Sequence, residues 1–218
     1  MKQEEKTLLS KSKILAAAGE VFAQKGYDMA TMQDITEKCG LSKGAIYHHF
    51  KSKEEIMLAL GEKMFLDNNP FSAVENRSDL NGLQKIRELL RINRADTERN
   101  TLNAQAVPIL KDPHILMAAI ESNLKHLTPL WLNLLEEGKR DSSIKTEYAK
   151  EIAELLPLID FWFIPSLFPA TVEETKHKFD FIVDALSKMG LDLFDDNSDR
   201  KSAEDFLGSI LTDREELS

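Results

Sequence analysis

The sequence predicts an all-α protein, and three observations carry that expectation. Apolar residues recur at spacings of three and four along most of the chain, the period of one buried helix face. Hydroxyl and carboxylate residues that cap helices stand just before several of these stretches. No segment shows the alternation of a half-buried strand, and no internal repeat is present. The chain has 218 residues and 24.7 kDa, with 42% hydrophobic and 30% charged residues, a composition typical of a folded globular protein.

The first helix is marked by Ile14, Ala17, Ala18, Val21 and Phe22 and ends at Gly26. Thr31 opens a second, with Asp34 three residues on to complete a capping box, and Gly40 closes it. Ser42 caps a third helix that runs through Phe50. Ser52 and Glu55 form another box, opening a fourth helix through Ile56, Leu60 and Met64. The polar stretches at 68–70 and 76–81 read as a boundary, which places a head at residues 1–65 and a body at 66–218.

In the body, Leu83, Ile86 and Leu90 mark a helix, and Asp112-Pro113 caps another. Its stripe runs through Met117, Ile120, Leu124, Leu127 and Trp131, with Pro129 expected to bend or split it. Ile152, Leu155, Leu156, Ile159 and Phe163 form a further stripe around Pro157. A loop is expected from Pro165 to Pro169. Thr171 and Glu174 then open a helix through Phe179, Ile182, Val183, Leu186 and Met189, and a weaker helix covers 203–211.

Charge divides unevenly. Residues 1–60 hold nine lysines against eight acids, whereas the rest holds 19 basic against 29 acidic residues, within a chain of net charge −9. Between Glu37 and Glu54 there is no acid at all, but four lysines, two histidines, a glycine turn and a short helix. Such a patch suits a polyanion, because phosphate contact supplies most sequence-independent affinity for DNA. A helix, a tight glycine turn and a second short helix make a helix-turn-helix, whose second helix enters the major groove.

Thr31-Met32-Gln33-Asp34-Ile35, followed by the run from Gly40-Leu41-Ser42-Lys43-Gly44-Ala45 through Ile46-Tyr47-His48-His49-Phe50 to Lys51-Ser52-Lys53-Glu54, closely resembles the DNA-binding head of the tetracycline-repressor (TetR) family. The resemblance covers roughly residues 8–65 and includes Phe22, Gly26 and Tyr27. Beyond the head it extends only to helix order and length. Ser42 and Lys43 stand at the positively polarised start of the recognition helix, and Gly44 and Ala45 lack bulk, so the helix can approach base edges. By resemblance, Tyr47 faces the groove, one of His48 and His49 faces the backbone, and Thr31 and Lys53 hold phosphates. Ile35, Leu41, Ile46 and Phe50 are expected to join the two helices as core. The head has no arginine, so the commonest guanine contact, a bidentate fork, is missing.

The resemblance implies a homodimer on a palindromic operator, with recognition helices about 34 Å apart. It assigns the twin contact to the last long helices, through Ile152, Leu156, Ile159, Phe179, Ile182, Val183 and Leu186. It also implies a small-molecule pocket in the body, for which Met117, Trp131, Phe161, Trp162, Phe163 and Phe168 are candidates, with an apolar or aromatic effector. Repression relieved by that ligand is the implied mode of control.

Other functions lack parts. The one cysteine, Cys39, precludes an internal disulfide framework, and His114, His126 and His177 match no compact ligand spacing, so neither metal nor cofactor is expected. There is no phosphate-binding glycine loop, nucleophile elbow or His-Glu-x-x-His, so no enzyme is expected. No segment reads as a signal peptide or a membrane span, and a cytoplasmic protein is expected. The competing possibility is a helical interaction module with a relic DNA-binding head, which would lack tight, salt-dependent binding to one DNA site.

Overall fold

The computed structural model describes residues 3–215 apart from 165 and 195. Among the described residues all regular structure is helical. The chain forms two compact units, one of residues 1–68 with 101–116, the other of 69–100 with 117–218.

The first unit begins with α1 (Gln3–Lys25), α2 (Met32–Cys39), α3 (Lys43–His49) and α4 (Lys53–Asp67). Each short helix is started by the expected side chain. Thr31, Ser42 and Ser52 accept the amides of Asp34, Ala45 and Glu55, which satisfies donors that a helix start leaves open. Their joints are tight because Gly26 and Gly40 take left-handed conformations, with φ of 74° and 65°. One core fills the space between the helices. Ile14, Ala18 and Phe22 of α1 meet Ile35 of α2, Ile46 of α3, and Ile56 and Met57 of α4. Segment 101–116 also belongs to this unit: Ile109 is buried in the same core, with Leu102, Ala106 and Ile115 packed against it.

The second unit contains α5 (Pro70–Glu75), α6 (Gly82–Ala95), most of α8 (Pro113–Arg140), α9 (Ala149–Trp162), α10 (Val172–Lys188) and α11 (Asn197–Glu215). Helix α7 (Thr97–Ala106) and a 3-10 turn at Val107–Lys111 precede α8. Pro165, expected to open the loop before α10, lies outside the described residues. Pro129 does not split α8, which continues through it for 28 residues; one lost backbone hydrogen bond leaves the rest of the ladder intact, and the buried Trp131, Leu134 and Leu135 follow directly.

The start of α6 is fixed with unusual closeness. A Cβ on Gly82 would lie 2.2 Å from the Gly138 nitrogen of α8, so only glycine permits the approach. The Gly82 and Leu83 amides donate to Asp141 Oδ2 at 2.7 Å and Ser143 Oγ at 3.1 Å. Buried Lys85 donates to the Glu75 carbonyl at 2.9 Å and to Glu137 Oε1 at 2.7 Å, so its charge is both paired and hydrogen-bonded.

Helix α11 lies along α10 and buries part of it. Phe179 and Val183 form a core with Ala203, joined by Phe163, Phe194 and Leu207. Arg200 reaches Asp180 and Asp184 at 2.6 and 3.1 Å, and Lys176 reaches Glu204 at 2.6 Å.

Candidate nucleic-acid interface

Helix α3 has two faces of opposite character. Ile46 is fully buried and Phe50, at the C-cap, is buried beside it, which anchors the helix in the head core. Lys43, Gly44, Tyr47 and His48, spaced at three and four residues, are exposed on the opposite side. The Lys43 ammonium stands 5.7 Å from the Tyr47 ring centroid, within the range of a cation–π contact. A Cβ built on Gly44 would meet nothing within 4 Å, so the fold itself does not require glycine there.

The flanking groups extend this surface. Ser42 is exposed at the start of α3 and its hydroxyl accepts the Ala45 amide at 3.2 Å, with Ala45 half-buried. Thr31 is exposed at the start of α2. Its hydroxyl donates to Asp34 Oδ2 at 2.8 Å, so its proton has a partner inside the head. Hydrogen bonds from Lys25 and then from Thr31 bring the Asp34 carboxyl down to about 2. The His48 and His49 rings lie 5.2 Å apart in an edge-on arrangement. Burial, then the neighbouring His48 and Lys11, hold His49 below the usual histidine pKa.

Of the four lysines in the acid-free window, two are engaged within the head. Lys38 pairs with Glu20 at 2.5 Å. Lys53, expected to hold a phosphate, instead turns its ammonium onto the Tyr27 and Ala30 carbonyls at 2.8 and 3.0 Å, with Asp28 at 3.4 Å. Sequence reasoning did not find this arrangement, because the accepting carbonyls belong to backbone some 25 residues away.

The body candidates are dispersed rather than gathered. Trp131 is buried edge-on against Phe71, 5.1 Å between ring centroids, and Phe163 belongs to the core under α11. Met117 and Phe168 are exposed, and Phe161 is half-buried. Trp162 lines an open groove of about 720 Å³ with Thr171, His177, Lys178 and Phe181, and none of the other five candidates lines it. Of the three adjacent aromatics at 161–163, Phe161 and Trp162 close α9 and Phe163 is its cap.

The expected twin-contact residues divide in the same way. Ile152, Phe179, Val183 and Leu186 are buried within the subunit, while Leu156, Ile159 and Ile182 are half-buried. The period of a helix does not say which of its sides a later helix will cover, and α11 covers the Phe179 side. The large apolar groups exposed on α9 and α10 are Leu155, Val172 and Phe181. Of the three histidines, His114 is exposed, His126 approaches Ser122 at 3.4 Å and His177 lines the groove. No group of three or more potential metal ligands occurs among the described residues, and none of the described helices is long and apolar enough to cross a membrane.

Residues 14–60 match the family model for bacterial regulatory proteins of the tetR family. The chain is 46% identical over 52 residues to the HTH-type transcriptional regulator YerO of Bacillus subtilis, covering 24% of this chain and 18% of that protein. It is 42% identical over 59 residues to the HTH-type transcriptional repressor AcnR of Corynebacterium efficiens, covering 27% of this chain and 31% of that one. The match thus spans less than a third of either relative's length. Along the whole fold, a tetR-family transcriptional regulator from Pectobacterium atrosepticum superposes with a TM-score of 0.60 at 21% identity, over 88% of this chain and 97% of that one. The capped helix-turn-helix of α2 and α3 lies within the matched residues 14–60, so the head carries the tetR-family signature, and the fold beyond it is similar to that of a solved tetR-family protein.

Proposed function

We propose that the protein is a ligand-responsive transcriptional repressor that binds a palindromic DNA operator as a homodimer. The observation that carries this reading is the exposed face of α3. Lys43, Gly44, Tyr47 and His48 present a cation, an open backbone, a hydroxylated ring and an imidazole on a helix anchored from behind by Ile46. Lysine and hydroxyl groups hold phosphates, while a ring or small residue meets base edges and thymine methyls. Ser42, Ala45, Thr31 and His49 flank that face and complete the contact surface.

Self-association is supported by Leu155, Val172 and Phe181, large apolar groups left exposed on α9 and α10. A dimer sets two copies of α3 against successive major grooves, which is why a palindrome is the expected target. The effector is a small apolar or aromatic molecule, with Trp162, which lines the groove, and the exposed Phe168 as candidate aromatic contacts. Its binding shifts the dimer toward a head spacing that no longer fits two half-sites.

The test is selection of bound sequences from random duplex DNA, followed by release with a panel of apolar and aromatic compounds. The reading expects enriched palindromes, half-sites one helical turn or a multiple apart, and at least one compound that frees the DNA. Enrichment of nothing would overturn it.

A further inference from the structure

Lys53 stands at the first position of α4, and its ammonium has three N–H donors. Three carbonyls of the turn between α1 and α2 converge on it, those of Tyr27 at 2.8 Å, Ala30 at 3.0 Å and, more distantly, Asp28 at 3.4 Å. The Tyr27 ring lies beneath the same ammonium, 4.2 Å from its centroid, a close cation–π contact. From the other side, the Tyr27 hydroxyl donates to Glu54 Oε1 at 2.8 Å. Burial works against ionisation of Glu54, but a backbone amide and the Tyr27 and Ser52 hydroxyls hold its carboxyl below the usual range, so it accepts as a carboxylate. Two consecutive residues of α4 therefore grip one turn, one as cation and one as anion. Tyr27 is itself buried in the head core, against Phe22 at 5.5 Å between rings, so the turn cannot shift alone.

That turn ends at Ala30, the residue before the Thr31 cap of α2. We propose that Lys53 is a positioning residue: it ties the start of α4 to the turn from which the Thr31 cap and α2 begin, and makes no phosphate contact itself. The inference rests on the DNA-binding reading of the head. A lysine serving phosphate would hold its donors toward solvent, whereas here charge, protons and ring contact are all directed inward.

The test compares the full chain with Lys53→Met, which keeps the stem and removes the charge, and with Lys53→Arg, which keeps the charge but cannot gather three carbonyls around one point. Binding to a selected duplex is followed against salt, and amide exchange of residues 27–34 is followed in the free protein. Both variants are expected to bind roughly ten-fold more weakly with the wild-type salt slope, and to exchange faster at 27–34. A slope reduced by about one unit in Lys53→Met and restored in Lys53→Arg would overturn the inference, because it would count a lost phosphate contact. If wild type binds no duplex, the reading of the head fails, and exchange still decides: unchanged protection in both variants removes the clasp. Should Lys53→Met not fold, Lys53→Arg decides by affinity and exchange: wild-type binding and wild-type protection at 27–34 in that variant would overturn the inference.

Discussion

Asp34 accepts both protons that Thr31 can offer, the amide at 2.9 Å and the hydroxyl at 2.8 Å, while Thr31 Oγ1 accepts the Asp34 amide at 3.1 Å. This reciprocal cap starts α2 and occupies the hydroxyl assigned to phosphate. We expect Thr31→Ala to lower stability by about 1 kcal/mol, the usual cost of losing such a cap. Urea midpoints at constant m-value measure it, and an unchanged midpoint would show that the cap adds nothing.

The same pair sets a pH dependence. Asp34 has its folded pKa lowered from 3.8 to about 2, chiefly by the hydrogen bond from Lys25 and then by Thr31. A depressed carboxyl stabilises the fold above its unfolded pKa and loses that contribution as pH falls through the folded one. The stability gap between wild type and Asp34→Asn should therefore be constant near neutrality and narrow between about pH 4 and pH 2. A gap that widens on acidification would reverse the sign and reject the assignment.

Gly82→Ala should destabilise the second unit by about 3 kcal/mol, the upper range for forcing atoms into packed space. Its Cβ would fall 2.2 Å from backbone nitrogen of Gly138, and backbone cannot swing aside as a side chain can. Gly44→Ala is the control: in a helix and with nothing within 4 Å it should keep or slightly raise the melting temperature while weakening DNA binding. A melting temperature unaffected by Gly82→Ala would mean that α6 and α8 separate readily.

Phe179 and Phe181 lie two residues apart on α10 and should behave oppositely. Phe179 is 8% exposed and packs under α11, so Phe179→Ala should cost about 3 kcal/mol of subunit stability. Phe181 is 61% exposed, so Phe181→Glu should leave subunit stability nearly unchanged and convert a dimer to monomer in sedimentation. A dimer that survives Phe181→Glu would move the self-association surface elsewhere.

The head was legible in the sequence because its rules are local. Thr31, Ser42 and Ser52 cap the helices they were expected to cap, and Ile35, Ile46 and Phe50 are buried as their spacing required. The body was less legible, since its answers depend on which helix covers which. The stripe on α10 was recognised, but Phe179 and Val183 face α11, and a period cannot say whether the covering helix is internal or another copy. Asn69-Pro70, read as part of a boundary, also caps α5, whose Phe71 and Val74 are buried, and the break between the two units falls at 68/69. Helix α7 went unseen because none of its residues is buried, so it has no apolar stripe to read. The Lys53 clasp was hidden for a different reason: its acceptors are carbonyls, which every residue has.

The most direct measurement of the central claim is a titration of a selected duplex with wild type and Lys43→Ala between about 50 and 200 mM salt. The account expects tight wild-type binding that falls steeply along a log–log line, with the slope about one unit shallower in Lys43→Ala. Binding that ignores both salt and Lys43 would contradict the assignment of the exposed α3 face to DNA.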